Sequence, residues 1–154
     1  MKRLAIAFLL LFVSISSYAG VALHAASRSF EIGTSSFFYC FFSTVSANLE
    51  PKGWGSRFPV LMKSLYSGTV DLSDLPRLHD ELSVVQTELK KLPPSKVVWD
   101  FKDRQARPPW GDKISEKITD LSNYFVTSDG KDLFEVFSSA IAEAERAKSS
   151  VKVE

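Results

Sequence analysis

The chain has 154 residues, 45% of them apolar and 24% charged, with 19 Lys and Arg against 18 Asp and Glu. That is the length of one domain with an ordinary globular composition. The near balance of charge excludes both the basic footprint of a nucleic-acid binder and the acidic block of a nucleic-acid mimic.

Residues 1–19 read as a signal peptide. Lys2 and Arg3 form a positive start, residues 4–15 are an apolar run, and Ser17-Tyr18-Ala19 offers small residues for cleavage before Gly20. The run is shorter than the roughly 20 residues of a membrane span, so cleavage is expected rather than retention as an anchor. The mature chain, residues 20–154, is then expected to be periplasmic or secreted. It carries 17 basic and 18 acidic residues and one cysteine, Cys40. No disulfide can form within it, so an oxidising compartment contributes nothing to its stability. Cys40 lies among Phe37, Phe38, Phe41 and Phe42 and is expected to be a buried small hydrophobe rather than a catalytic thiol.

Residues 20–30 read as a first strand, with Val21, Leu23 and Ala25 on one face and His24 on the other. Glu31-Ile32-Gly33 reads as a turn. Thr34, Ser35 or Ser36 then caps a helix that runs to about Leu49. Phe37, Phe41, Val45 and Leu49 recur every four residues, and Phe38 and Phe42 broaden the apolar face. Such a helix is expected at the centre of the fold. Pro51-Lys52-Gly53 ends it.

Pro59 suits the first turn of a short helix carrying Leu61, Met62 and Leu65, which stops at Gly68. Asp71 or Ser73 opens another, striped by Leu75, Leu78, Leu82, Val85 and Leu89 and stopped by Pro93-Pro94. Residues 96–100 and 123–127 are short β-prone runs and are expected to be strands. Between them lies a polar, Pro-containing loop, residues 101–115, of a length that is often functional. The last helix runs from about Lys131 to Lys148, with Leu133, Phe134, Phe137, Ile141 and Ala144 inward. Residues 151–154 alternate and can add a terminal strand. The expected fold is α+β: one small domain of about four helices on a three- or four-stranded sheet.

No G-x-S-x-G, C-x-x-C, P-loop or H-E-x-x-H motif is present, and His24 and His79 have no partner at metal-ligand spacing. No catalytic, cofactor or metal residue is therefore assigned. Two Trp-Gly motifs stand out instead: Gly53-Trp54-Gly55-Ser56-Arg57-Phe58-Pro59 and Pro108-Pro109-Trp110-Gly111-Asp112. Their tryptophans either plug the core edge and hold long loops down, or build a recognition surface. Arg57 can stack on an indole, pair with a loop carboxylate such as Asp112, or reach a partner. Trp54, Arg57, Trp110 and Asp112 are the candidate partner-binding residues. Asp100, Asp103 and Asp112 are the loop carboxylates that a hydrolase would need to bring together, although loop Asp residues usually cap turns.

The same motifs carry a family resemblance. Phe37-Phe38, Phe41-Phe42-Ser43-Thr44, the Trp54 motif, Leu92-Pro93-Pro94-Ser95-Lys96-Val97-Val98-Trp99-Asp100, the Trp110 motif and residues 121–130 together resemble the immunity protein 70 family of bacterial polymorphic toxin systems. The likeness covers about Gly20 to the C-terminus. It implies a non-enzymatic protein that binds and neutralises a cognate toxin protein. From the charge balance no nucleic-acid partner is expected, and membrane contact is expected only transiently, through the signal peptide. The likeness hands over no contact residues. Members are usually read as cytoplasmic, so an export signal points to a toxin that acts in or passes through the periplasm. The alternatives are an envelope protein binding a sugar or peptide through its Trp-lined loops, and a hydrolase using Asp100 and Asp112.

Overall fold

Alternating burial makes the first two strands. The computed structural model describes residues 20–154, so the signal-peptide expectation for residues 1–19 lies outside the described residues. Strand β1 (Val21–Ala25) buries Leu23 and Ala25, and β2 (Arg28–Gly33) buries Phe30 and Ile32 against the same core. The single strand expected over residues 20–30 is thus the start of a hairpin. Ala26 takes φ 55° and turns the chain, so that Ala25 faces Arg28 and Leu23 faces Phe30. The turn was hidden because it carries neither the Gly nor the Asn that usually marks a two-residue hairpin. Glu31-Ile32-Gly33, expected to turn, completes β2 instead.

Helix α1 (Ser35–Leu49) starts where its capping residue predicts, with Thr34 Oγ1 accepting the Phe37 N–H at 3.1 Å. It is buried on almost every side. Phe41 alone meets the rings of Phe42, Phe125, Phe134 and Phe137 at 5.3–5.7 Å, a cluster that joins the helix to distant parts of the chain. A fully buried Phe of this kind is worth roughly 1.5–3 kcal/mol from area alone. Cys40 is fully buried as well, and burial pushes its thiol up to about 12, so it stays protonated at neutral pH.

After the Trp54 loop comes a π-helical turn (Val60–Leu65), then a two-residue strand, β3 (Thr69–Val70). A 3-10 turn (Leu72–Asp74) leads into α2 (Leu75–Leu89), which buries the expected leucine stripe. The last helix, α3 (Leu133–Arg146), is capped by Asp132, whose carboxylate accepts the Phe134 and Glu135 N–H groups. It ends in a Schellman turn: Lys148 takes φ 55° and the Ser149 N–H reaches the Ala144 carbonyl at 2.8 Å. Strand β4 (Val151–Val153) then inserts between β1 and β3, giving an antiparallel sheet of order β2-β1-β4-β3. The helices lie on one face of the sheet, with α3 against β1 and β2 and α2 against α3. The other face shows Ser29, Glu31, Thr69 and Lys152 to solvent. The fold is α+β, as expected. Among the described residues no helix is long and apolar enough to cross a membrane.

Two expected strands are absent. Residues 96–100 have β-prone side chains, but their backbone is bound by α1. Thr44 Oγ1 both accepts the Val98 N–H at 3.0 Å and donates to the Val98 carbonyl at 3.2 Å. One hydroxyl thus fills the place of a neighbouring strand. Residues 123–127 make a single bridge, Val126 to Asp132, through the Leu133 N–H to the Phe125 carbonyl at 3.0 Å and the Thr127 N–H to the Lys131 carbonyl at 2.8 Å, which ties the segment to the start of α3.

Ala26 and Lys148 hold left-handed backbone without being glycine. Replacing either by Gly removes a local penalty of about 1 kcal/mol, partly offset by the greater freedom of the unfolded chain. Ala26→Gly and Lys148→Gly are each expected to raise the melting temperature by a few degrees, and together additively, in thermal unfolding followed by circular dichroism.

Candidate functional site

Two buried carboxylates shape the first Trp-Gly loop. Glu50 closes α1 and is 3% exposed. Its Oε1 accepts the Gly55 N–H at 2.9 Å, and its Oε2 accepts the N–H groups of Arg57 and Phe58 at 3.0 and 3.2 Å. Glu81 of α2 does the same for the next turn, accepting Val60 and Leu61 N–H at 3.3 and 2.8 Å, with Arg77 Nε at 3.2 Å beside it. These are the orphan donors at the start of the π-helical turn. Gly55 has φ +76°, a backbone that strains any other residue, and a Cβ there would lie 2.6 Å from Lys63 Cε, so the Lys63 side chain would also have to move.

On this frame Trp54 is anchored rather than displayed. Its Nε1–H donates to the Met62 carbonyl at 2.8 Å, and its ring meets Tyr39, Phe42, Tyr66 and Phe101. Arg57 grips Glu88 of α2 with both arms, Nη1 to Oε2 at 2.7 Å and Nη2 to Oε1 at 2.9 Å. Nη1 also donates to the Leu49 carbonyl at 3.0 Å, and the guanidinium sits 4.7 Å over the Phe58 ring. Its carboxylate partner is thus Glu88 rather than Asp112, and its aromatic partner is a phenyl rather than an indole. The hydrogen bonds from Arg57 hold the Glu88 carboxyl below its ordinary range.

The second loop is laid on the polar side of α1. Besides Thr44, Ser43 Oγ accepts the Phe101 N–H at 3.1 Å and Asn48 Nδ2 donates to the Lys96 carbonyl at 3.0 Å. Trp99 meets Trp110 edge-on at 5.5 Å, and Trp110 Nε1–H donates to the Tyr124 hydroxyl at 2.8 Å. Burial raises the Tyr124 phenol above its ordinary value, so this hydroxyl stays neutral and accepts the indole.

Around Trp110 the surface is concave. One hollow, about 480 Å³, is lined by Pro94, Val97, Arg107, Asp112 and Tyr124 among others. A second, about 330 Å³, is mainly apolar, with Phe37, Trp110, Ile118 and Val126 in its walls and Lys113 at its edge. Ile114 and Tyr124 line both, so the two form one trough. Val126 is 45% exposed there, one of four large apolar side chains left open to solvent among the described residues.

The structure therefore divides the four candidate residues. Trp110 and Asp112 belong to the trough, whereas Trp54 and Arg57 belong to the clamped first loop, and the two tryptophans share no ring neighbour. Asp100 and Asp103 accept backbone N–H groups of Lys102 and Gln105 as turn caps, and neither lines the hollow that holds Asp112. Arg107, Tyr124, Ile118 and Val126 were not singled out from sequence. Tyr124 and Val126 were hidden by the strand expected over residues 123–127, and the four-residue spacing of Ile114 and Ile118 was the available signal for the apolar wall. Among the described residues no three His, Cys, Asp or Glu side chains are grouped to hold a metal ion.

Residues 23–153 match the family model described as immunity protein 70. The chain belongs to that family. The match runs from within β1 to the end of β4 and includes both Trp-Gly loops. No curated protein and no solved structure matches the chain. Membership assigns this immunity protein a role in a toxin system, with a toxin as its partner.

Removing the Glu50 carboxylate leaves three loop amides without their acceptor. Glu50→Ala is expected to cost about 2–4 kcal/mol in urea unfolding, and Glu50→Gln less, since one acceptor oxygen remains. Arg57 and Glu88 give a pH signature. The folded carboxyl titrates below the unfolded one, so between the two values the unfolded chain binds more protons. The stabilisation is present above the ordinary carboxylate range and is lost as pH falls through the depressed value. Stability measured against pH is expected to fall less steeply on the acid side in Glu88→Gln than in the wild type.

Proposed function

We propose that the mature chain binds one cognate toxin in the periplasm and neutralises it by occupying it, without catalysis. The observation that carries this reading is the family match over residues 23–153. The export half rests on the charged, apolar and small-residue order of residues 1–19. The binding half is supported by the trough: an ordered, concave, partly apolar surface on a scaffold whose loops are already fixed, so little ordering entropy remains to be lost on association. In this reading Trp110 and Asp112 touch the toxin, while Trp54 and Arg57 keep the first loop in place beside them.

A sugar-binding platform needs an open aromatic face. The Trp54 ring stacks against Tyr39 and Phe42, and Trp110 is flanked by Trp99 and Tyr124, which favours the protein-binding reading.

The deciding experiment is co-expression with candidate toxin domains encoded by neighbouring genes, each directed to the periplasm or to the cytoplasm. The expected outcome is rescue from the periplasmic toxin only when residues 1–19 are present, together with a stable complex in a pull-down. Rescue of the cytoplasmic toxin by the chain without residues 1–19 would remove the export half. Neither rescue nor complex would end the immunity reading.

A further inference from the structure

The charge of this chain is unevenly spread, and two cations of the basic stretch, Arg107 and Lys113, line the trough. Residues 102–117 carry five cations, Lys102, Arg104, Arg107, Lys113 and Lys117, against three carboxylates. The rest of residues 20–154 then has 12 basic and 15 acidic residues, so a basic loop is mounted on an acidic body. All five cations are exposed. The ion pairs among the described residues lie elsewhere, on Arg28, Arg57, Arg77, Lys131 and Arg146. Arg104 lies 5.6 Å over the Phe101 ring, which holds it at the surface without neutralising it.

From this juxtaposition we propose that the face formed by residues 102–118 and Val126 docks an acidic surface of the toxin that inserts one apolar side chain into the hollow beside Trp110. The proposal rests on the immunity reading above and names the chemistry of the partner. Unpaired cations raise the rate of encounter with an acidic protein and are screened by salt. The apolar hollow supplies what charge cannot, a desolvated contact that slows dissociation. Its volume of about 330 Å³ suits a side chain or two rather than a helix face. Asp112, the one carboxylate in the wider hollow, faces the same opening as Arg107 and repels a misplaced acidic group, which fixes the register. The shape argues against a lipid surface as the occupant. A membrane takes up apolar side chains that protrude, and here the aromatic groups line a concavity.

The test uses residues 20–154 and the purified candidate toxin domain identified in that co-expression, with rates measured at low and high salt. The triple variant Arg104→Glu, Arg107→Glu, Lys113→Glu is expected to lower the association rate about ten-fold or more at low salt, and to flatten the salt dependence. Its melting temperature should hold, since all three side chains are exposed. Val126→Asp is expected to raise the dissociation rate about ten-fold by putting a charge into the apolar hollow. Lys152→Glu, on the open face of the sheet, should leave both rates within about two-fold, as is usual for a charge remote from an interface. Toxin binding by the triple variant with unchanged rates would overturn the docking face while leaving the immunity role intact. Failure of the wild type to bind would instead end the immunity reading itself. Sedimentation with phosphatidylglycerol vesicles that the triple variant loses, with toxin binding unchanged, would overturn the proposal in favour of a membrane surface.

Discussion

The Glu50 carboxylate is the constraint on which the rest of this surface depends. A buried carboxylate is tolerated only if its oxygens are satisfied, and here backbone amides do that work. The bargain is mutual, because three amides in a glycine-rich loop would otherwise be buried without partners. Glu81 repeats the device one turn later. The two side chains come from different helices, so the loop between them ties α1 to α2. Trp54 then closes over Met62, and Arg57 crosses to Glu88 on the same helix that carries Glu81.

Helix α1 serves two masters with two kinds of side chain. Phe41, Phe42 and Val45 are fully buried and bind the helix into the aromatic core. Ser43, Thr44 and Asn48 on another side hold an irregular segment by its backbone. Beyond residue 101 the chain bonds to itself in short turns, and the helix fixes the segment from which those turns start. The trough around Trp110 is tied to that attachment through Trp99, whose ring meets Trp110.

How much of this was legible in the sequence follows from where each backbone group found its partner. Helices α1, α2 and α3 announced themselves, because their apolar periodicity and capping residues are local. Strand β4 was visible through alternation alone, though not its place inside the sheet. The runs at residues 96–100 and 123–127 misled because β-propensity reports how side chains pack on a pleated surface, not which partner the backbone takes. Val98 found a hydroxyl on α1 and Phe125 found the start of α3. The Ala26 turn was invisible since alanine rarely adopts that conformation. At the site, the Trp-Gly pairs marked the ordered loops, but Glu50 and Glu81 gave no signal: a lone glutamate at the end or in the middle of a helix resembles any surface residue until its amide partners are known. Arg107 and Lys113 were read only as part of a near-neutral total, which concealed their concentration in one loop.

Strand β4 comes last among the elements and lies second from the edge of the sheet. Until residues 151–153 arrive, β1 has one free edge and β3 has no neighbour at all. The sheet is a clasp that shuts only on the final segment. Completing the sheet therefore needs a pairing between the two ends of the domain, the kind of long-range contact that goes with slower folding.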